Sequence, residues 1–104
     1  MTPESLALRE LIDMHRERFD ALLASYGARN PRLLGSVARG DAHAGSDIDI
    51  LLDMDPADGN LLLRASGLME ETRELLGRDD VAIFPVQLLK VPVSREALDE
   101  AIPL

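Results

Sequence analysis

The stretch Leu33–Asp53, LLGSVARGDAHAGSDIDILLD, decides how this chain folds and where its chemistry sits. Its last part, from Ile48 to Asp53, reads as a strand. Successive side chains of a strand point to opposite faces, so Ile48, Ile50 and Leu52 share one face. That face belongs in a core. Asp47, Asp49, Leu51 and Asp53 share the other, which faces a site or solvent. Asp47 and Asp49 therefore leave one side of an otherwise core-like strand. Mutual repulsion and desolvation both oppose that placement unless a positive group sits between them.

The preceding residues supply what such a pair needs. Arg32 to Leu34 reads as a short strand entered through Pro31, and Gly35-Ser36 ends it. Ser36 is a suitable N-cap for a short helix over Val37 to Gly40, and Asp41 to Ser46 are small and polar, as in a loop. A Gly-Ser turn entering a helix offers backbone N–H groups, a hydroxyl and the positive end of the helix dipole, which together suit phosphate. Arg39, just past that point, is placed to neutralise an outer phosphate. Two carboxylates about 6–7 Å apart along a strand edge form a half-cage for a hard cation such as Mg²⁺, which keeps water and substrate phosphates in its other positions. Candidate metal ligands are thus Asp47 and Asp49, and candidate nucleotide-binding residues are Gly35, Ser36 and Arg39. Asp53 lies two pleats further on and reads as a strand-end or turn residue.

Outward from this segment the chain alternates helices and strands. Thr2-Pro3-Glu4 is a helix start, and Leu8, Leu11, Ile12, Phe19, Leu22, Leu23 and Tyr26 follow helical spacing up to a stop at Gly27. His15 falls on the same stripe and is expected to be a packed, hydrogen-bonded surface histidine. After the turn DMDPADGN, Asn60 caps a helix carrying Leu61, Leu62, Ala65, Leu68, Met69, Thr72, Leu75 and Leu76, and Gly77 closes it. Val81 to Phe84 is a third strand. Beyond Pro92, Ser94 is placed to cap a last helix carrying Leu98 and Ile102. The order α-β-α-β-α-β-α implies a single domain over residues 1–104, of the α/β (α+β) class, with a small mixed sheet flanked by helices.

Composition narrows the function. The 104 residues carry a net charge of −8 and no cluster of Lys and Arg, so a phosphate backbone would repel the protein, and no direct nucleic-acid binding is expected. Aromatics make up 3% with no Trp, too few for a base-stacking platform. The absence of cysteine rules out disulfides and thiolate metal sites. With no signal-like or membrane-spanning apolar run, a cytoplasmic protein is expected.

The segment GSVARGDAHAGSDIDILLD resembles the signature of the minimal nucleotidyltransferases of the DNA polymerase beta superfamily. In that signature Gly-Ser is followed by ten residues and then Asp-x-Asp. Here Gly35-Ser36 is followed by Val37 to Ser46 and then Asp47-Ile48-Asp49. ARG at Ala38–Gly40, ELLGR at Glu74–Arg78 and the closing REALDEAIPL extend the likeness over nearly the whole chain. The resemblance implies a polymerase-beta-like nucleotidyltransferase fold, with Gly35 and Ser36 holding ATP and Asp47 and Asp49 holding Mg²⁺. It also implies an antitoxin that forms a hetero-oligomer with a HEPN-type ribonuclease toxin and transfers AMP to a toxin tyrosine.

One departure matters. The family pattern places a third carboxylate on the strand after LLGR, where it helps bring the attacking hydroxyl to the metal and accepts its proton. Matching LLGR and LLK on either side puts Ala82 there. Three readings follow: a weakened or inactive enzyme that neutralises its partner by binding alone, replacement by Asp80 through a bulge, or a substitution introduced by design. Transfer to a small molecule, as in the aminoglycoside-modifying members of the superfamily, is a further reading that would need a second domain for the acceptor. Leu61 to Leu63 and the last helix are candidates for a partner surface or for core packing.

Overall fold

A computed structural model describes residues 1–89 and 95–104. The first two helices are α1 (Pro3–Met14) and α2 (Arg16–Ser25), followed by β1 (Ala28–Leu34), the five-residue α3 (Gly35–Arg39) and β2 (Ile48–Met54). A 3₁₀ turn at Pro56–Asp58 leads into α4 (Leu61–Leu76), β3 (Val81–Pro85) and a second 3₁₀ turn at Val86–Leu88. The chain ends with α5 (Arg95–Glu100) and β4 (Ile102–Pro103). The strands form one four-stranded mixed sheet in the order β3-β2-β1-β4. β2 runs antiparallel to β1 and parallel to β3, and β4 is antiparallel to β1. The fold class is therefore α+β, with helices flanking a small mixed sheet, as the sequence implies.

Alternation in β2 builds the core. Ile48, Ile50 and Leu52 are fully buried and join Leu33 of β1 and Val81 and Ile83 of β3 in one cluster. Leu8 and Ile12 of α1, Phe19 and Leu23 of α2, and Leu68 and Leu76 of α4 cover that face of the sheet. Burying these side chains supplies the main driving force for folding. Local chemistry sets the limits of α4. The Asn60 side chain accepts a hydrogen bond from the Leu63 N–H at 3.0 Å, and Gly77 takes a left-handed conformation at φ +66°. Among the described residues no helix is long and apolar enough to cross a membrane.

The structure departs from the expectations at five places. The first helix is two, because at His15 the ring Nδ1 donates to the Leu11 carbonyl at 3.0 Å. That carbonyl is the acceptor the His15 N–H would use in a continuous helix, and the N–H turns to Ile12 O at 3.1 Å instead. His15 is nonetheless hydrogen-bonded and partly buried, as expected. β1 starts at Ala28 rather than Arg32, since a bulge between Arg29 and Arg32 absorbs Asn30 at φ +55° and Pro31 within the strand. Ser36 lies inside α3 and does not cap it; Leu34 is the N-cap, with no side-chain bond. Ile102 belongs to β4, not to the last helix, and pairs with Leu33. Leu51, on the Asp47–Asp49 face, is buried outside the main cluster, so that face is partly covered. The proposed Ser94 cap and Pro92 lie outside the described residues.

Candidate functional site

The site forms where β1 turns into α3 and where β2 begins. Leu34 pairs with Asp49, so the Gly35 bend falls beside the Asp49 side chain. Gly35 has φ +72°, a conformation in which a side chain is strained, and a Cβ built there would stand 3.1 Å from Asp49 Oδ2. Glycine at this position thus lets the backbone and the carboxylate approach each other closely. Ser36 is half-buried on the first turn of α3. Downstream, the loop closes on itself before Asp47. The buried Ser46 accepts a hydrogen bond from the His43 N–H at 2.9 Å through its hydroxyl, and its own N–H donates to His43 O at 3.0 Å. Asp47 follows directly and is exposed, whereas Asp49 is half-buried.

The two acids share an electrostatic environment. Burial pushes the Asp49 carboxyl above the usual carboxylate range, and the neighbouring charge of Asp47 pushes it further. The pair is thus poised to gain from a cation between its oxygens. Two carboxylates suit a hard divalent ion that leaves positions for water and phosphate, so the donor set fits Mg²⁺. Among the described residues no group of three or more His, Cys, Asp or Glu side chains is arranged to hold a metal.

The reason is visible on β3. The parallel register pairs Asp49 with Ala82, so Leu34, Asp49 and Ala82 form a row across three strands. Ala82 therefore stands beside Asp49, where a third acid would stand. Asp80 is not free to replace it. Arg78 Nε donates to Asp80 Oδ1 at 2.7 Å, and a second guanidinium nitrogen pairs with Oδ2. The hydrogen bond from Arg78 holds the Asp80 carboxyl below its usual range. The Asp80 backbone carbonyl also accepts the Ile48 N–H at 2.9 Å, fixing this residue at the mouth of β3. Arg78 was not singled out from the sequence, yet it lies in the field of Asp47 as well as Asp80. The one signal for it is its spacing of two residues from Asp80 after the helix stop at Gly77.

The remaining candidates have partners of their own. Arg39, at the end of α3, is exposed and ion-paired with Asp41 at 3.2 Å and Glu100 at 3.6 Å. Asp53 faces Arg32 at 3.5 Å and accepts from Asn30 Nδ2 at 3.1 Å, in keeping with a strand-end role.

The bend has a measurable signature. Gly35→Ala is expected to destabilise the protein by about 1–2 kcal/mol for the left-handed backbone, plus a further cost for crowding Asp49. Gly45→Ala is the control, because Gly45 has φ +89° but no atom within 4 Å of a Cβ. Urea denaturation of both variants checks this; equal losses would remove the contact with Asp49 from the account.

Comparison with known proteins agrees with this fold. The family model described as "Nucleotidyltransferase domain" matches residues 12–104. A solved structure described as "Structure of putative minimal nucleotidyltransferase" superposes with a TM-score of 0.75 at 37% sequence identity, covering 91% of this chain and 94% of that one. No curated protein matches the chain. With a glycine bend set against Asp49 of β2, and a family match over residues 12–104, this chain belongs to the nucleotidyltransferase-domain family.

Proposed function

We propose that this protein transfers AMP from ATP to a tyrosine hydroxyl of a HEPN-type toxin, and is the antitoxin of that partner in a hetero-oligomer. The observation that carries the reading is the approach of Asp49 Oδ2 to within 3.1 Å of a Cβ position at Gly35. The acid and the bend are thus immediate neighbours. In the reaction the tyrosine oxygen bonds to the α-phosphorus of ATP, the bond from that phosphorus to the bridging oxygen breaks, and pyrophosphate leaves. The tyrosine proton passes to water. Gly35 and Ser36 hold the triphosphate through backbone N–H groups and the Ser36 hydroxyl, with Arg39 at its outer end. Asp47 and Asp49 would hold Mg²⁺, which when bound would neutralise phosphate charge and lower the pKa of the attacking hydroxyl. The net charge of −8 suits a partner of opposite sign, and Leu62 and Leu63 at the start of α4 are exposed and open to it.

A second reading rests on Ala82: the protein neutralises the same partner by masking it, with transfer weak or absent. Two measurements separate the readings. Incubating the protein with its partner, Mg²⁺ and α-labelled ATP is expected to place label on a partner tyrosine; an unlabelled partner beside intact ATP would overturn transfer. Co-expression of the partner with the Asp47→Ala, Asp49→Ala double variant is expected to leave the cells poisoned although the complex forms. Full relief by that variant would establish masking.

A further inference from the structure

Most of α1, Arg9 included, lies outside residues 12–104, the span the family model matches, yet it grips the segment that joins the Gly35-Ser36 bend to Asp47. α3 has five residues, too few to hold a helical conformation by itself. Helices also leave their last carbonyls without intrahelical partners. Here Val37 and Ala38 are buried, so water cannot satisfy those carbonyls. Arg9 does so instead. Its Nε donates to Val37 O at 3.1 Å, and its Nη2 donates to Val37 O at 2.8 Å and to Ala38 O at 2.7 Å. A cation at this end of a helix also opposes the negative pole of the dipole.

The rest of the grip continues down the segment. The Thr2 N–H donates to Gly40 O at 2.8 Å, the Thr2 hydroxyl donates to Ala42 O at 2.5 Å, and Ser5 Oγ accepts the Ala42 N–H at 2.8 Å. Ser5 and Ala42 are both fully buried, so the bond between them has no competition from solvent.

We infer that Arg9 is a positioning residue for nucleotide binding: by clamping the Val37 and Ala38 carbonyls it sets the orientation of α3, and with it the Gly35-Ser36 backbone N–H groups. The inference rests on the reading of that bend as the triphosphate cradle. Arg9 itself touches no substrate in this scheme.

The test uses the full chain with Arg9→Met and Arg9→Lys. Affinity for a non-hydrolysable ATP analogue with Mg²⁺ is measured by calorimetry, and amide exchange is measured without nucleotide. Arg9→Met is expected to weaken the analogue about tenfold or more, the loss expected for charged hydrogen bonds. It should speed amide exchange in residues 36–42 while leaving the core amides of β2 and α4 unchanged. Arg9→Lys, which keeps the charge and one donor, should recover part of the affinity. Wild-type binding that Arg9→Met leaves intact overturns the inference alone. Exchange that speeds evenly across the chain also overturns it, since Arg9 would then serve general stability. Failure of the wild type to bind the analogue removes the cradle reading, and the inference falls with it.

Discussion

Ala82→Asp is expected to raise nucleotidyl transfer by about 10²–10⁴-fold, the span associated with a positioned general base. The parallel register sets residue 82 directly beside Asp49, and adjacent strands lie about 4.8 Å apart. An aspartate there projects from the same face as Asp49 and completes a three-acid cluster. That cluster carries a cost. Asp49 is already pushed up by burial and by Asp47, and another carboxylate increases the repulsion. Without a divalent cation the variant should therefore melt below the wild type, and Mg²⁺ should raise its melting temperature more than the wild type's. Label transfer and a Mg²⁺ melting series check both halves. A folded variant with no gain in rate would show that the alanine does not limit the chemistry. Asp80 supplies no comparable remedy, because the paired Arg78 would have to be broken away first.

Asp49→Asn is expected to abolish transfer while leaving the fold intact. Losing a metal-holding carboxylate removes several kcal/mol of charge stabilisation, a drop of about 10³-fold or more. The fold should survive because the core is built from Ile48, Ile50 and Leu52 on the opposite face. The metal-free protein should become more stable at neutral pH, since a neutral amide replaces a carboxylate that burial and Asp47 disfavour. The sign of the pH dependence follows. With the folded pKa of Asp49 above its unfolded value, the native state holds more protons between the two, and stability falls as pH rises through that window. The wild type should show this decline in urea midpoints, and Asp49→Asn should lose that contribution. A decline of the same size in both proteins would assign it to another group.

The acid pair and the bend were legible because strand alternation and glycine's backbone freedom are local rules. Asp47 and Asp49 needed only the apolar alternation around them, and α4 needed only Asn60 and Gly77. The break at His15 was hidden because it depends on a ring nitrogen reaching the Leu11 carbonyl, which periodicity cannot register. The start of β1 was hidden because Asn30-Pro31 reads as a turn until its bulge is paired against β2. β4 is two residues long and is defined by its pairing with Arg32 and Leu33, far away in the chain. The roles of Arg9 and Arg78 depend on tertiary partners. Arg9 reaches backbone carbonyls, which leave no mark in the sequence as an opposing charge would.

The topology of the sheet orders events in time. β1 and β2 pair across the connection 35–47, whereas β2 and β3 are joined through the longer connection 55–80 that holds the 16-residue α4. Contacts between near neighbours in the chain close sooner than distant ones, because less chain entropy is lost. A nascent hairpin of β1 and β2 would thus already carry Gly35, Ser36, Asp47 and Asp49, and the strand bearing Ala82 would dock onto it afterwards.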